Sequence, residues 1–255
     1  MLRSTLTRFE IAAICAALLG VVAISFGQLA LLVTTGAAFL IVIAFGAVLP
    51  RLSLFGPYVC QGRTARRWVA LTFDDGPDGR STPALLAFLR DAGVQAAFFC
   101  VGKRVAENPE LAARIVREGH LLENHSYTHS HMMNFFTTPR LRREMESTQA
   151  IIRQTTGVAA TCFRPPMGLT NPRVFRAARA LGLRVIGWSA RGLDTQGSEP
   201  ERVVARIARR LGPGAIILLH DGNISGERLV TTVKTLLDRL GKLGYEVVRL
   251  DKMLP

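Results

Sequence analysis

The stretch Thr72-Phe73-Asp74-Asp75-Gly76-Pro77 puts two adjacent carboxylates on a turn at the end of an apolar run. About fifty residues later, His125-Ser126-Tyr127-Thr128-His129 supplies two imidazoles four apart. One carboxylate and two imidazoles make a donor set for a zinc-like ion, and the second carboxylate is left over to take a proton from water. The implied chemistry is metal-assisted hydrolysis. Two acids so close resist joint ionisation unless a cation or an arginine offsets them. On a helical turn, imidazoles four apart face one side and can share one metal. His120 and His131 read as structural or exposed. Arg164-Pro165-Pro166-Met167-Gly168 is a stiff loop that aims an arginine at the acids, with backbone N–H groups able to face an oxyanion. His220 ends the apolar run of Leu218-Leu219-His220-Asp221-Gly222, where it is placed to donate a proton.

These residues need a scaffold that gathers them, and the sequence past residue 67 has the pattern of one. Short apolar runs at 68–73, 96–101, 120–123, 161–164, 184–188, 214–219 and 245–249 read as strands, separated by amphipathic stretches. Four helices are expected to open on a capping residue followed by proline: Thr82-Pro83, Asn108-Pro109, Thr138-Pro139 and Asn171-Pro172. Two more helices are expected at about 200–211 and 226–241. Glycines at 93, 119, 157, 182, 212 and 244 fall where helices should stop. Repeated strand–helix units predict an α/β fold with a parallel sheet, closed as a barrel or open and doubly wound. In either, chemistry gathers at the C-terminal ends of the strands. Asp74, Asp75, His125, His129, Arg164 and His220 all follow strands in that sense.

The N-terminal fifty residues are of another kind. Ile11 to Pro50 holds no charged residue, and Gln28 is its one strongly polar side chain. Forty apolar residues exceed the about 20 needed for one crossing, so two transmembrane helices are expected near 10–27 and 30–49. A cleavable leader has a shorter apolar region, and a buried hairpin of a soluble protein is the plainer alternative. Arg3 and Arg8 precede the first helix; Arg51, Arg63, Arg66 and Arg67 follow the second, so both ends are expected in the cytoplasm, at a bacterial-type inner membrane. Four cysteines without framework spacing agree with a reducing compartment. The expected organisation is a helical pair over 1–50, a basic linker over 51–67 and a catalytic domain over 68–255.

Past residue 50 the chain carries 30 Lys and Arg against 18 Asp and Glu, a net charge of +12. No nucleic-acid motif accompanies that surplus and few aromatics interleave with it, so nucleic acid is not expected as a partner. Apposition to anionic membrane lipids is the simpler account.

As a set, TFDDGP at 72–77, AAFFCVG at 96–102, EGHLLENHSYTH at 118–129, RPPMG at 164–168 and LLH at 218–220 resemble the NodB-homology polysaccharide deacetylases, carbohydrate esterase family 4. The resemblance runs from about Trp68 to Leu250 and implies a deformed (β/α) barrel, often of seven strands. Carried over by motif, it implies Asp75, His125 and His129 as metal ligands, Asp74 as general base and Arg164 as the residue that holds it. It implies His220 as general acid and Leu218 as a wall for the acyl methyl. Met167 stands where the family usually has tyrosine, a position that contributes chiefly a backbone N–H next to Gly168. The family normally has an aspartate just after a tryptophan to orient the acid histidine. Here Trp188-Ser189-Ala190 is followed by Arg191, with Asp194 three residues on. Either Asp194 takes that role, or the histidine is tuned differently and Arg191 binds an anionic group of the substrate.

The expected reaction is hydrolysis of an N-acyl group from an amino sugar, with Zn2+ as the first candidate metal and Co2+, Ni2+ or Mn2+ also suited to N/O ligands. Two membrane spans and a basic surface suggest a substrate at the bilayer, such as a polyprenyl-phosphate-linked N-acetylhexosamine. De-N-acetylation of an exopolysaccharide or peptidoglycan is the runner-up. A tethered glycan binder whose site has decayed is the reading from another class.

Overall fold

The computed structural model describes residues 6–49 and 52–254. Arg3 and Arg51 of the charge argument lie outside them. Thr7 caps the first helix, α1 (Arg8–Ser25), through a reciprocal pair in which its hydroxyl accepts from the Glu10 N–H and the Glu10 carboxylate accepts from the Thr7 N–H. A turn at Phe26-Gly27-Gln28 leads to α2 (Leu29–Val48). Both helices are long and apolar enough to cross a membrane, with mean hydropathies of 1.9 and 2.4, and almost none of either is buried. They return antiparallel, so that Phe9 at the start of α1 stacks on Phe39 and meets Phe55 edge-on at 5.4 Å.

The expected linker is a packed connection. Phe55 and Tyr58 are buried, and Tyr58–Val59 forms a strand, β1. Arg66 and Arg67 lie over the rings of Trp68 and Tyr245, each 4.7 Å from the centroid, so part of the basic surplus is spent on cation–π contacts.

Beyond it come β2 (Trp68–Asp74), α3 (Thr82–Asp91), β3 (Ala97–Cys100), α4 (Gly102–Glu107), α5 (Pro109–Arg117), β4 (Leu121–Asn124) and α6 (Thr138–Thr156). The chain continues through β5 (Cys162–Phe163), α7 (Pro172–Ala180), β6 (Arg184–Ile186), β7 (Ala190–Arg191), β8 (Ala215–His220) and α8 (Pro200–Ala208), which lies between β7 and β8. It ends with α9 (Gly226–Lys242) and β9 (Glu246–Val247). Every ladder is parallel, in the order β1-β6-β5-β4-β3-β2-β8-β7, with β9 added beside β2. The seven expected strands are present; β1 and β7 are additional.

The sheet curls until residues 184–191 join its two sides. β6 pairs with β5, and three residues later β7 pairs with β8. Between them the Gly187 N–H donates to the Val59 carbonyl and the Ser189 N–H to the Ile216 carbonyl. The result is a deformed barrel closed through one kinked segment. Alternation along β2 sorts its side chains: Val69, Leu71 and Phe73 face outward to α3 and α9, while Ala70 packs inward with Ala97, Phe99, Cys162 and Ile216. By the same period Thr72 and Asp74 point into the barrel. The outer layer is sealed by helices such as α9, which buries Leu229, Val233, Leu236 and Leu240 at helical spacing.

The proline-led starts differ from expectation in detail. Only the Asn171 side chain caps as foreseen, accepting from the N–H groups of Arg173 and Val174. Asn108 sits between two helices and donates back to the Arg104 carbonyl. α3 and α6 begin one residue early, at Thr82 and Thr138, and the Thr82 hydroxyl is drawn away to the Asp221 carboxylate at 2.7 Å. Of the six expected stop glycines, all but Gly212 have a left-handed backbone. Cys100 and Cys162 are buried in strands, which shields them in any compartment and weakens the argument from thiols.

Gly187 is where the closing segment has no room for a side chain, because a methyl there would overlap the Tyr58 ring and the Cys60 sulfur. Gly187→Ala is expected to destabilise the fold by about 1–3 kcal/mol in thermal or denaturant melts. Gly241→Ala, in α9 with nothing nearby, is expected to be neutral or stabilising by about 0.5–1 kcal/mol.

Candidate active site

At the C-terminal mouth of the barrel, Asp74 ends β2 and points inward beside His220, its neighbour in register on β8. Asp75 follows in a left-handed conformation, φ 73°, which turns its carboxylate sideways across the mouth. It meets His129 Nε2 at 3.1 Å and His125 Nε2 at 3.4 Å. Burial works against ionisation of Asp75, but the two imidazoles outweigh it and hold the carboxyl far below its ordinary range.

The histidines are not on a helix. His125 leaves β4 directly, and the loop then takes left-handed turns at Ser126 and His129. The Asn124 side chain accepts from the Ser126 N–H, and the Ser126 hydroxyl accepts from the His129 N–H. Those two bonds coil the loop and swing His129 back over His125, with ring centroids 5.0 Å apart. The Nδ1 of His125 lies 2.7 Å from the Arg164 carbonyl, which can only accept, so Nδ1 donates there and Nε2 is the ring atom left facing the site. One donor atom each from Asp75, His125 and His129 lies within 4.8 Å of the others. Two ring nitrogens and a carboxylate oxygen converging in this way fit a divalent metal.

Arg164 is fully buried beneath this cluster. Its Nη1 donates to Asp74 Oδ1 at 2.6 Å and to the Thr72 hydroxyl at 2.8 Å, and its Nη2 to the Gly187 carbonyl at 3.0 Å. The guanidinium also lies over the Phe99 ring, 4.0 Å from its centroid. One oxygen of Asp74 is thereby fixed, and the other, Oδ2, is left facing His125 Nε2 at 3.9 Å.

Across the mouth, His220 Nδ1 lies 3.0 Å from Asp194 Oδ1, and its backbone N–H donates to Asp194 Oδ2 at 2.8 Å. Of the alternatives left open by the sequence, Asp194 holds the histidine. Its three-residue displacement is absorbed by Leu193, which is left-handed and starts a tight turn over Asp194–Gln196. Burial favours neutral His220, but Asp194, with smaller pushes from Asp74 and Asp75, brings its pKa up to about 9. Arg191 lies elsewhere: exposed at the rim, its guanidinium 6.0 Å from the Trp188 ring centroid, with no ion pair or hydrogen bond of its side chain among the described residues.

A cavity of about 260 Å³ is lined by Asp74, Asp75, His125, His129, Met167, Gly168, Trp188, Arg191, Asp194, Leu218 and His220. The sequence-predicted residues therefore share one space, with Arg164 below its floor. Gly168 is left-handed and packed against Trp188, where a methyl would overlap the indole. Its N–H is turned to the Pro165 carbonyl, so it does not face the cavity as expected, and Met167 is the loop's remaining candidate donor. His131 is exposed beside the Met167 sulfur, and His120 is buried, accepting from the Ala96 N–H.

Two contributors escaped the sequence reading. Thr72 relays between Arg164 and the Ile217 carbonyl. Asp221 is fully buried behind the metal-type cluster, with burial first, and then Asp75 and Asp74, pushing its carboxyl up to about 7. Gly76 is obligatory beside it, since a methyl there would overlap that carboxylate. The available signal was the Asp221-Gly222 pair directly after His220.

Known proteins share this architecture. The chain is 34% identical over 197 residues to the peptidoglycan-N-acetylglucosamine deacetylase PgdA of Listeria monocytogenes, covering 77% of this chain and 41% of that protein. The chain thus spans about two fifths of that relative's length. It is 32% identical over 188 residues to a peptidoglycan-N-acetylglucosamine deacetylase of Bacillus cereus, covering 73% of this chain and 87% of that one. A crystal structure of a CE4 family pseudoenzyme from Bacillus anthracis superimposes with a TM-score of 0.72 at 27% identity, over 78% of this chain and 69% of that one. The family described as polysaccharide deacetylase matches residues 61–186. The chain belongs to the polysaccharide deacetylase family and has its deformed (β/α) barrel.

The His220–Asp194 contact makes a direct prediction. His220 is charged below about pH 9, and the stability it contributes is fully present below its unfolded pKa and lost as pH rises through the folded value. Asp194→Asn is expected to lower the imidazole pKa by about one to three units in an NMR titration; an unmoved pKa would contradict the assignment.

Proposed function

We propose that this chain is a membrane-anchored, metal-dependent de-N-acetylase of an amino sugar. The observation that carries the reading is the convergence of Asp75, His125 and His129 on one point beside the free oxygen of Asp74, with His220 opposite. When bound, a divalent cation supplies Lewis acidity, making water easier to deprotonate and an amide carbonyl easier to attack. Arg164 holds one oxygen of Asp74, so Oδ2 takes the proton from water as the oxygen adds to the carbonyl carbon. The Met167 N–H is the loop donor we assign to the developing oxyanion. Asp194 keeps His220 protonated, so Nε2 can give its proton to the nitrogen as the C–N bond breaks, releasing acetate and a free amine. Leu218 offers an apolar wall to the acetyl methyl.

An intact set of five ionisable groups supports catalysis over a decayed, binding-only site. Asp74→Asn is expected to lower deacetylation by about 10²–10⁴-fold, while His129→Ala is expected to lower the metal content of purified protein. Near-full turnover in the first, with metal retained in the second, would sink the assignment.

The substrate reading rests on other features. The base of the α1–α2 pair packs on the barrel at Phe55, and the basic residues before α1 and after α2 support a cytoplasmic catalytic domain. Arg191 brings to the rim of the cavity a guanidinium without an ion pair among the described residues, suited to phosphate. Together they favour a sugar on a polyprenyl phosphate. The curated relatives favour the second reading, peptidoglycan. Lipid extracts from cells lacking the protein separate the two: a species heavier by one acetyl supports the first, and unchanged lipids with over-acetylated wall polymer support the second. Arg191→Gln is expected to raise KM about tenfold for a phosphorylated substrate and leave a neutral one unaffected.

A further inference from the structure

A second cavity, of about 380 Å³, lies away from the barrel mouth, where the first turn of α1 and the 55–59 segment meet α7 and the start of β6. Its walls are apolar, with Phe9 and Phe55 on one side and Phe175 and Leu183 on the other. At its edge stand Arg176 and Arg179, both exposed. They are three apart on α7, so their side chains leave the same face one turn from each other. Among the described residues neither side chain has an ion pair or hydrogen bond. The acid in the lining, Glu10, is engaged at the helix start by the Thr7 N–H and hydroxyl, and it lies within electrostatic reach of Arg179 and Arg176 without forming an ion pair with either. Arg184 also lines the space and reaches the Thr161 hydroxyl at 3.5 Å.

The position of this cavity sets what can fill it. One wall is the first turn of a helix whose later residues are apolar and exposed, among them Ile11, Ile14 and Leu18. If α1 and α2 cross a bilayer, the cavity opens at headgroup depth, and a chain leaving it runs along α1 into hydrocarbon. An occupant must then combine an apolar chain with an anionic head. Two neighbouring guanidinium forks offer more donors than a lone carboxylate can accept, and suit the oxygens of a phosphodiester. A water-soluble anion would leave the aromatic walls without a partner.

We propose that this cavity is a binding site for an anionic phospholipid, its phosphate held by Arg176 and Arg179 and an acyl chain lying against Phe9, Phe55 and Phe175. The inference rests on the membrane reading of α1 and α2 and is independent of the deacetylase chemistry. The site seats the barrel on the bilayer at a fixed height and rotation, which a two-helix anchor alone does not specify.

The test uses the full-length chain in detergent, delipidated and then mixed with phosphatidylglycerol or phosphatidylcholine in mixed micelles, with retained lipid counted by native mass spectrometry. One phosphatidylglycerol per chain is expected to be retained, about tenfold over phosphatidylcholine. The double variant Arg176→Glu/Arg179→Glu should lose it. Arg209→Glu/Arg210→Glu, with the same charge change at exposed positions after α8, should keep it. Equal retention of the two lipids, equal loss in both double variants, or a chain that stays soluble without detergent would each overturn the proposal.

Discussion

A buried guanidinium facing a buried carboxylate is the constraint on which the mouth of this barrel is built. Arg164 and Asp74 are both withdrawn from solvent, so each ion is tolerable only because the other is present. The pair also does geometric work. Arg164 reaches its partner from across the barrel and is braced by Thr72, the Gly187 carbonyl and the face of Phe99, while its own carbonyl fixes His125. One residue therefore couples the base-type acid, a metal-type histidine and the closing segment. A lysine could not serve all three, because a single ammonium lacks the planar fork that separates its donors.

Opposite that pair, the site departs from its family in sequence while keeping a carboxylate on the histidine. Arg191 occupies the position where an acid is usual, and Asp194 reaches His220 through a left-handed turn at Leu193. The exchange frees position 191 to carry charge of the opposite sign at the cavity rim. In this chain His220 keeps two contacts to one carboxylate, Asp194.

Much of the fold was legible because period-2 and period-3.6 patterns are strong when strands are buried and helices lie on one face. The seven main strands, the two apolar helices and most helix stops fell within a few residues of their expected places. The missing strands, β1 and β7, are two residues long, and unlike the equally short β5 and β9 neither follows a helix closed by a stop glycine. The site residues were legible by type and order, since strand ends in a parallel barrel converge. What sequence could not give was the path between them. His125 and His129 looked like one helical face, yet they meet through left-handed residues whose side-chain bonds have no periodic signature. Thr82 looked like a cap, but its hydroxyl answers to Asp221, more than a hundred positions away. Thr72 and Asp221 were missed as contributors because their importance lies in buried partners distant in sequence, Arg164 for the one and Thr82 for the other.

The stretch from Arg184 to Arg191 hydrogen-bonds to β5 at its start and to β8 at its end, with Gly187 wedged against Tyr58. Both borders are thereby pinned in register, so this stretch cannot gain or lose a residue without rotating Trp188 and Arg191 to the opposite face of the sheet. On this wall of the pocket a change of length can be taken up only past Arg191. Between the two borders, a change in what the wall presents must come from exchanging side chains along a rail of constant length.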